Sequence, residues 1–320
     1  MKSWCPLIAL PLVLAGCAGP AHDAPEPLPR HQGEAFTTTM DCGRMTIEVH
    51  GDGDGVTVFA AGEEYRMEPA ISASGAKYQV AGDQATTFWS KGNNAWLELN
   101  GQPWPECVTP GALPLPFKAQ GNEPFWNLQL EVGQLTLQRL GDDQPLVKPY
   151  AVTATNPATR TLTASTPQGD LQLAVTTGLC RDSMSGMPYP GEVVVTLGED
   201  SLTGCGGSPE RLLQGAEWVV EDIAGGGIID RSRVTLDFYT DGRVAGRGSC
   251  NRYNGQYRLS GEGLAISEVA STRMACAPAL MTQEQRFLAL LDGVQRFDFD
   301  DTGALLLITA DEVVLKARLE

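Results

Sequence analysis

The chain has 320 residues, of which 42% are hydrophobic and 19% are charged, and its formal net charge is -16. At roughly 100–150 residues per domain this length corresponds to two or three domains, and the apolar content is sufficient for hydrophobic cores. The negative charge argues against nucleic-acid binding through a basic surface. His22, His31 and His50 are the only histidines. No histidine base or metal ligand is therefore available beyond the first fifty residues.

The N-terminus has the pattern of a bacterial export signal. Lys2 precedes the apolar run 6–15, which is too short to be a transmembrane helix. The run ends in Leu14-Ala15-Gly16-Cys17, which resembles a lipobox. This resemblance implies cleavage before Cys17 and acylation of Cys17, with palmitate among the acyl groups. An ordinary export signal is the alternative interpretation.

The residues after the lipobox predict where the protein is sorted. Ala18 follows the cysteine, and this resembles the outer-membrane sorting signal of Gram-negative cells. The next residues are polar and rich in proline, without a hydrophobic period. We therefore expect a lipoprotein signal peptide over 1–16 and a tether over 17–33. The expected product is an outer-membrane lipoprotein that faces the periplasm.

The remaining six cysteines predict one disulfide in each of three domains. Turn-rich segments around 110–116 and 208–215 separate these cysteines two by two. An oxidising compartment favours disulfides, and the spacing lacks the C-x-x-C pattern of a zinc site. No metal or cofactor is predicted. Pairing neighbours gives the bridges Cys42–Cys107, Cys180–Cys205 and Cys250–Cys276.

The segment 34–110 predicts a small antiparallel barrel. Short alternating strands are expected at 45–49, 56–59, 64–67, 77–80, 86–89 and 95–99. Many short strands without a helical period are typical of such barrels. Asp52-Gly53-Asp54-Gly55 predicts a hairpin turn between the first two strands. A calcium loop is the weaker alternative, because the closing Glu of an EF-hand is missing.

Several motifs of this segment, taken in order, resemble the MliC/PliC family of c-type lysozyme inhibitors. They are Cys42, Ser72-Ala73-Ser74-Gly75-Ala76-Lys77-Tyr78, Phe88-Trp89-Ser90-Lys91-Gly92, Ala95-Trp96-Leu97 and Cys107. The resemblance implies an eight-stranded antiparallel β-barrel closed by a disulfide. It also implies that Ser74 and Lys91 enter the catalytic groove of the lysozyme, with Tyr78 in support.

Two features of the segment bear on this implied partner. Ser74 and Lys91 are separated by an interval, 79–87, that is longer than we expect of the family. Residues 34–110 contain 11 acidic and 4 basic side chains, a net charge of -7. Such a surface suits a strongly cationic enzyme. The alternative is a barrel of this type that no longer inhibits.

The segment 117–210 predicts a second β-rich domain. Its motifs, Gly121-Asn122-Glu123-Pro124-Phe125-Trp126, the loop at 180–190 and Gly204-Cys205-Gly206-Gly207, resemble an uncharacterised domain of bacterial envelope lipoproteins. A nucleophilic serine needs a base, and no histidine lies nearby. We therefore predict that the 180–190 loop is structural. The alternative is a ligand-binding surface formed by four residues: Glu123, Trp126, Asp182 and Tyr189.

The segment 211–320 resembles the META/HslJ-like domain. The resemblance rests on four features taken in order. They are the segment around Trp218, a predicted hairpin at 234–246, the Cys-Asn-Arg-Tyr-Asn-Gly-Gln-Tyr motif at 250–257 and the Ser-Thr-Arg-Met-Ala-Cys motif at 271–276. It implies an α+β fold. Thr282 and Gln285 form a capping box, which predicts one helix. Its expected apolar face consists of Phe287, Leu288, Leu291 and Val294.

Together these observations predict a mainly β protein without enzymatic activity. The first functional hypothesis is a membrane-anchored lipoprotein that inhibits c-type lysozyme through Ser74 and Lys91. The second is an envelope stress or adaptor lipoprotein whose two C-terminal domains bind an unknown envelope component. An enzyme is disfavoured, because the sequence contains no recognisable triad, nucleotide loop or metal cluster.

Overall fold

The computed structural model describes residues 35–261 and 263–319. All of them belong to one compact unit, Gly33–Glu320. The predicted signal peptide, the lipidation site Cys17 and the tether lie outside the described residues. The described chain forms three antiparallel sheets, so the predicted mainly β fold is confirmed. None of the described helices is long and apolar enough to cross a membrane.

The first sheet closes into a barrel. Its strands are β1 (Phe36–Cys42), β2 (Met45–Gly51), β3 (Val56–Ala60), β4 (Glu63–Ala70), β5 (Ala76–Val80), β6 (Asp83–Lys91), β7 (Asn94–Leu99), β8 (Gln102–Pro103) and β9 (Cys107–Val108). The ring runs through β6-β5-β4-β3-β2-β1-β9-β7 and closes by pairing β7 with β6. Eight strands therefore form the barrel, as the family resemblance implies, and β8 is a short addition beside β7.

Alternation along these strands explains the barrel core. In β2, Ile47 and Val49 are buried whereas Glu48 between them is exposed, because successive side chains of a strand point to opposite faces. At the seam of the barrel, Cys42 of β1 pairs directly with Cys107 of β9. The disulfide between them joins the first and last strands of the ring.

The second sheet follows directly in the chain. Its strands are β10 (Phe117–Asn122), β11 (Phe125–Glu131), β12 (Gln134–Arg139), β13 (Leu146–Pro149), β14 (Ala151–Thr155), β15 (Thr159–Thr166), β16 (Gly169–Arg181), β17 (Pro188–Leu197) and β18 (Asp200–Gly206). Their order is β13-β12-β11-β10-β18-β17-β16-β15-β14. A separate core containing Trp126 fills this sheet.

The third sheet comes after a 3-10 helix, Pro209–Leu212. Its elements are β19 (Trp218–Ile223), β20 (Thr235–Phe238), β21 (Arg243–Arg247), β22 (Arg252–Ser260), β23 (Gly263–Ser271), α1 (Pro278–Asp292), β24 (Val294–Phe299), β25 (Leu305–Thr309) and β26 (Val314–Leu319). The strand order is β23-β22-β21-β20-β19-β26-β25-β24. The helix packs on the core of this sheet through Phe287, Leu290 and Leu291.

The predicted start of this helix is wrong. Helix α1 begins at Pro278, and Ala277 at the N-cap makes no side-chain capping bond. Thr282 lies inside the helix, where its hydroxyl donates to the carbonyl of Pro278 (3.0 Å). Proline is favoured at the first helical position, because its missing N–H would have no partner there. Val294 is buried but belongs to β24 rather than to the helix.

Two predicted local features are present, the three disulfides and the hairpin turn at 52–55. The bridges Cys42–Cys107, Cys180–Cys205 and Cys250–Cys276 form as expected. A carboxylate oxygen of Asp52 accepts the N–H groups of Asp54 (3.0 Å) and Gly55 (2.9 Å), so this motif is a hairpin turn. In residues 35–261 and 263–319, no group of His, Cys, Asp and Glu is arranged to hold a metal ion.

Candidate functional site

Ser74 and Lys91 lie next to each other at one end of the barrel. Strands β5 and β6 pair in register, with Ala76 opposite Ser90. The residue before Ala76 is Gly75, and a Cβ placed there would lie 3.2 Å from the Cβ of Lys91. The loop between β4 and β5 therefore contacts the end of β6. The two predicted site residues are brought together.

The long interval 79–87 does not move the Ser74 and Lys91 loops apart, because it lies near the turn that joins β5 to β6. The pairing of β5 with β6 shifts between Gln79 and Val80, where Val80 pairs with Asp83. The added length is thus accommodated at the opposite end of the hairpin. The departure from the expected family spacing leaves the Ser74 and Lys91 loops adjacent.

The β4–β5 loop is held by hydrogen bonds. The indole N–H of Trp89 donates to the carbonyl of Ser74 at 2.8 Å. The hydroxyl of Ser72 lies within bonding distance of the carbonyls of Ser74 (3.2 Å) and Gly75 (3.1 Å). Gly75 has a φ of +68°, and a Cβ there would lie 2.3 Å from the carbonyl oxygen of Ser90. Only glycine fits this approach of the loop to β6.

The end of the barrel presents its functional groups to solvent. Ser74 and Lys91 are exposed, and Ile71 in the same loop is fully exposed. No ion pair engages Lys91 within the described part of the chain. Beside the loop, the rings of Trp89 and Trp96 contact each other, with centroids 4.8 Å apart. A hydroxyl, an ammonium group and an apolar side chain are thus available to one partner.

Tyr78 is placed differently from the other two site residues. It is half-buried and packs against the barrel core. Its ring stacks on Phe88 with a centroid separation of 6.5 Å. The side chain supports β5 from inside the barrel, and a direct role of Tyr78 in binding stays a prediction.

The other end of the barrel contacts the segment before β19 and the turn between β20 and β21. The N–H of Arg44, in the β1–β2 turn, donates to the carbonyl of Gln214 at 2.8 Å. The hydroxyl of Thr240 donates to the carbonyl of Pro103 in β8 (3.4 Å). Strand β4 runs from this end toward the loop that holds Ser74. These contacts lie away from the Ser74 and Lys91 loops, where both side chains are exposed to solvent.

Two of the four residues of the alternative ligand surface, Trp126 and Asp182, are buried. Trp126 is fully buried, and its indole N–H donates to the carbonyl of Thr203 (3.2 Å). Asp182 is buried and organises its own loop by accepting bonds from the N–H and hydroxyl groups of Ser185, both at 2.8 Å. Burial opposes ionisation, but these bonds and that of Asn122 lower the pKa of Asp182 to about 2. The 180–190 loop is thus built around a structural carboxylate.

Comparison with known families matches two parts of the chain. Residues 41–103 match the MliC family, described as membrane-bound lysozyme-inhibitor of c-type lysozyme. Residues 211–319 match the META domain. The chain carries an MliC segment followed by a META domain. This is the predicted order of the two families, and residues 104–210 lie between the two matches.

Solved structures and curated proteins add little to these family matches. An NMR structure of a protein from Burkholderia xenovorans is 23% identical, with a TM-score of 0.30, over 35% of this chain and 86% of that one. A second NMR structure is 29% identical, with a TM-score of 0.30, over 34% of this chain and 93% of that one. Neither likeness supports an argument at this TM-score. No curated protein matches the chain significantly.

Sequence reasoning missed two contributors to the site. Ile71 precedes the family motif and gave no signal of its own. Trp89 belongs to the quoted motif, but its hydrogen bond to Ser74 depends on the register of β5 and β6.

Proposed function

We propose that the protein is a membrane-anchored lipoprotein that inhibits c-type lysozyme by inserting the Ser74 and Lys91 loops into the catalytic groove. The observation that carries this proposal is the contact between these two loops at the end of the barrel where both side chains are exposed. The match of residues 41–103 to the MliC family supports the same partner. In this account the protein binds and performs no chemistry of its own.

The chemistry of the target suits the two side chains. A c-type lysozyme works with two carboxyl groups in a groove, one protonated and one ionised. The ammonium group of Lys91 pairs with the ionised carboxylate, and the hydroxyl of Ser74 donates a hydrogen bond to either group. Because no ion pair within the described chain engages Lys91, binding does not require an internal salt bridge to be broken. The exposed Ile71 adds apolar contact beside them.

The loops enter the interface already ordered. The bonds from Trp89 and Ser72 fix the backbone around Ser74, and the left-handed conformation of Gly75 lets the loop lie against Ser90. A binding loop that is rigid before association loses little conformational entropy when it binds. This pre-organisation favours tight inhibition.

The lipid anchor completes the proposal. Acylation of Cys17 would attach the unit to the membrane through a tether that ends where β1 begins. The tether would place the inhibitory barrel at the envelope, where it protects peptidoglycan. The outer membrane, with the barrel facing the periplasm, is the proposed location, since Ala18 follows the lipidated cysteine.

Inhibition of purified enzymes tests the proposal. The oxidised unit Gly33–Glu320 is titrated against a c-type lysozyme on peptidoglycan, with a muramidase of another structural class as the control. We expect inhibition of the c-type enzyme near stoichiometric concentration and none of the control. An N-acetylglucosamine oligomer that occupies the groove should compete with the protein. Inhibition that the oligomer does not relieve would refute insertion into the groove.

A further inference from the structure

A cleft of about 670 Å³ lies where the three sheets meet. Its walls come from the β1–β2 turn, from the connection between the first two sheets, from β16 to β18 and from the segments around Leu212 and Phe299. The volume falls in the range of small-molecule sites, which are mostly apolar with a few placed polar groups. The lysozyme-binding proposal does not use this cleft.

The floor of the cleft is apolar. It consists of buried side chains from β9 and from the cores of the second and third sheets: Val108, Phe117, Val175, Leu212 and Phe299. Leu113 and Leu179 on the walls are partly buried, and each packs against a neighbouring core. A ligand with an apolar body gains free energy by covering such a surface.

Arg44 supplies a cation at the edge of this floor. Its guanidinium lies 5.6 Å from the ring centroid of Phe299 and 6.0 Å from that of Trp218. Arg44 is exposed to solvent, and the neighbouring protein lowers the pKa of Arg44 by partial desolvation. Within residues 35–261 and 263–319, no carboxylate forms an ion pair with it. The backbone bond from Arg44 to Gln214 holds its turn in place.

The other arginines of the cleft already have partners. Arg181 donates to a carboxylate oxygen of Asp298 (2.9 Å) and to the carbonyl of Phe299 (2.8 Å). Arg211 donates to the backbone carbonyls of Glu106 (2.8 Å) and Asp41 (3.1 Å). These two side chains hold the sheets together. Arg44 remains to bind an anion.

None of the three acidic groups that line the cleft forms an ion pair with Arg44, and two of them are held by other residues. Asp300 pairs with Lys316, at 2.7 Å between Nζ and Oδ2, and that bond together with one from Thr302 lowers the pKa of Asp300. Asp41 accepts the hydroxyl of Thr46 at 2.8 Å and lies beside the guanidinium of Arg211. Asp301 is exposed at the rim.

From this arrangement we infer that the cleft binds an amphipathic carboxylate, whose anionic head pairs with Arg44 and whose hydrocarbon body covers the floor formed by the three sheets. A fatty acid is the simplest ligand of this class. The site requires all three sheets, because each contributes to its walls. It is independent of the Ser74 and Lys91 loops, so lysozyme inhibition and carboxylate binding can fail separately.

Calorimetric titration with dodecanoate below its micellar concentration tests this inference. The unit Gly33–Glu320 is used, because it is compact and contains every described element and all three disulfides. We expect saturable binding of one dodecanoate per protein. Acetate, which lacks the apolar body, and dodecyltrimethylammonium, which has the opposite charge, should bind at least about tenfold more weakly.

Three variants separate the inferred site from general adsorption. Arg44→Gln should lower the affinity for dodecanoate at least about tenfold, since it removes a charge-assisted bond. Ala112→Trp should abolish binding by filling the cleft, which Ala112 lines. Arg66→Gln, on an exposed arginine of β4, is the matched control and should bind like the wild type. Thermal unfolding confirms that each variant is folded.

Four results would contradict this inference in whole or in part. Absence of dodecanoate binding to the wild-type unit would overturn the inference. Equal binding of the cationic amphiphile, or an unchanged affinity in folded Arg44→Gln, would show hydrophobic adsorption without an anion site. Acetate binding as tight as that of dodecanoate would refute the role of the apolar floor.

Discussion

The indole N–H of Trp89 donates a 2.8 Å hydrogen bond to the backbone carbonyl of Ser74. Trp89 lies on β6, two residues before Lys91, whereas Ser74 lies in the loop that precedes β5. One side chain therefore fixes the position of the serine loop relative to the lysine. This relationship makes the two predicted contact residues a single rigid surface.

Replacing Trp89 by Phe should weaken lysozyme inhibition without unfolding the barrel. The variant keeps an aromatic ring against Trp96 but removes the donor to Ser74, so the loop gains freedom in the unbound state. A net hydrogen bond is worth about 1 kcal/mol, which corresponds to a roughly fivefold weaker inhibition. Trp96→Phe is the matched control, and inhibition assays compare the two. Equal inhibition by both variants would show that this bond does not position the loop.

Association with lysozyme should slow as salt is added. The barrel segment 34–110 carries a net charge of -7, and opposite charge on the enzyme accelerates encounter at low ionic strength. The Debye length falls from about 30 Å at 0.01 M to about 8 Å at 0.15 M salt. Surface plasmon resonance should record a lower association rate and a nearly constant dissociation rate. An association rate that is independent of salt would contradict electrostatic steering.

Removing the barrel disulfide should destabilise the barrel. Cys42 and Cys107 are 65 residues apart and join the first and last strands of the ring. On the loop-entropy model, Cys42→Ala with Cys107→Ala lowers the free energy of unfolding by up to about 4 kcal/mol. Urea unfolding measures this loss.

The disulfide of the META domain provides the contrast. Cys250→Ala with Cys276→Ala should also reduce stability, since that bridge closes a separation of 26 residues. It should leave lysozyme inhibition unchanged, because the bridge joins the segments before β22 and before α1, outside the barrel. Loss of inhibition in this folded double variant would show that the META domain participates directly.

Asp237 should make the stability of the META domain depend on pH. Burial, with a contribution from Glu217 and opposed by Arg233, raises the pKa of Asp237 from 3.8 to about 6. In the unfolded chain the Asp237 carboxyl ionises near its ordinary pKa. Its ionisation therefore costs free energy only in the folded state, where the carboxylate is buried. The free energy of unfolding should therefore fall as the pH rises from about 4 to about 6.

Replacing Asp237 by Asn removes this penalty. The variant should gain up to about 3 kcal/mol of stability at pH 8 and little at pH 4. Thermal unfolding across this range measures the effect. Asp54→Asn, in the exposed β2–β3 turn, is the control. A stability gain that is the same at both pH values would refute the ionisation argument.

The sequence predicted the strands whose side chains alternate and missed those without a pattern. Strands β2 and β3 correspond closely to the predicted runs 45–49 and 56–59. Strand β1 was not predicted, because of its seven residues only Met40 and Cys42 are buried. Strands β8 and β9 have two residues each, which is too short for a period.

The site was predictable in its residues but not in its geometry. Ser74 and Lys91 came from a family motif, whereas the approach of their two loops depends on the pairing of β5 with β6, which is irregular between Gln79 and Val80. The three-sheet cleft was not predictable, since it arises from contacts between residues far apart in the chain, such as Arg211 with Asp41. The local pattern of polar and apolar residues does not predict contacts between segments that are far apart in the sequence.

Inhibition by a charge-reversed barrel tests the central claim most directly. Lys91→Glu places a carboxylate where the ammonium group should meet the ionised carboxylate of the lysozyme. Arg66→Glu changes the net charge equally on an exposed residue of β4, so it controls for long-range electrostatics. We predict that Lys91→Glu raises the inhibition constant by roughly 30-fold or more, whereas Arg66→Glu behaves like the wild type. Full inhibition by a folded, oxidised Lys91→Glu variant would contradict the account.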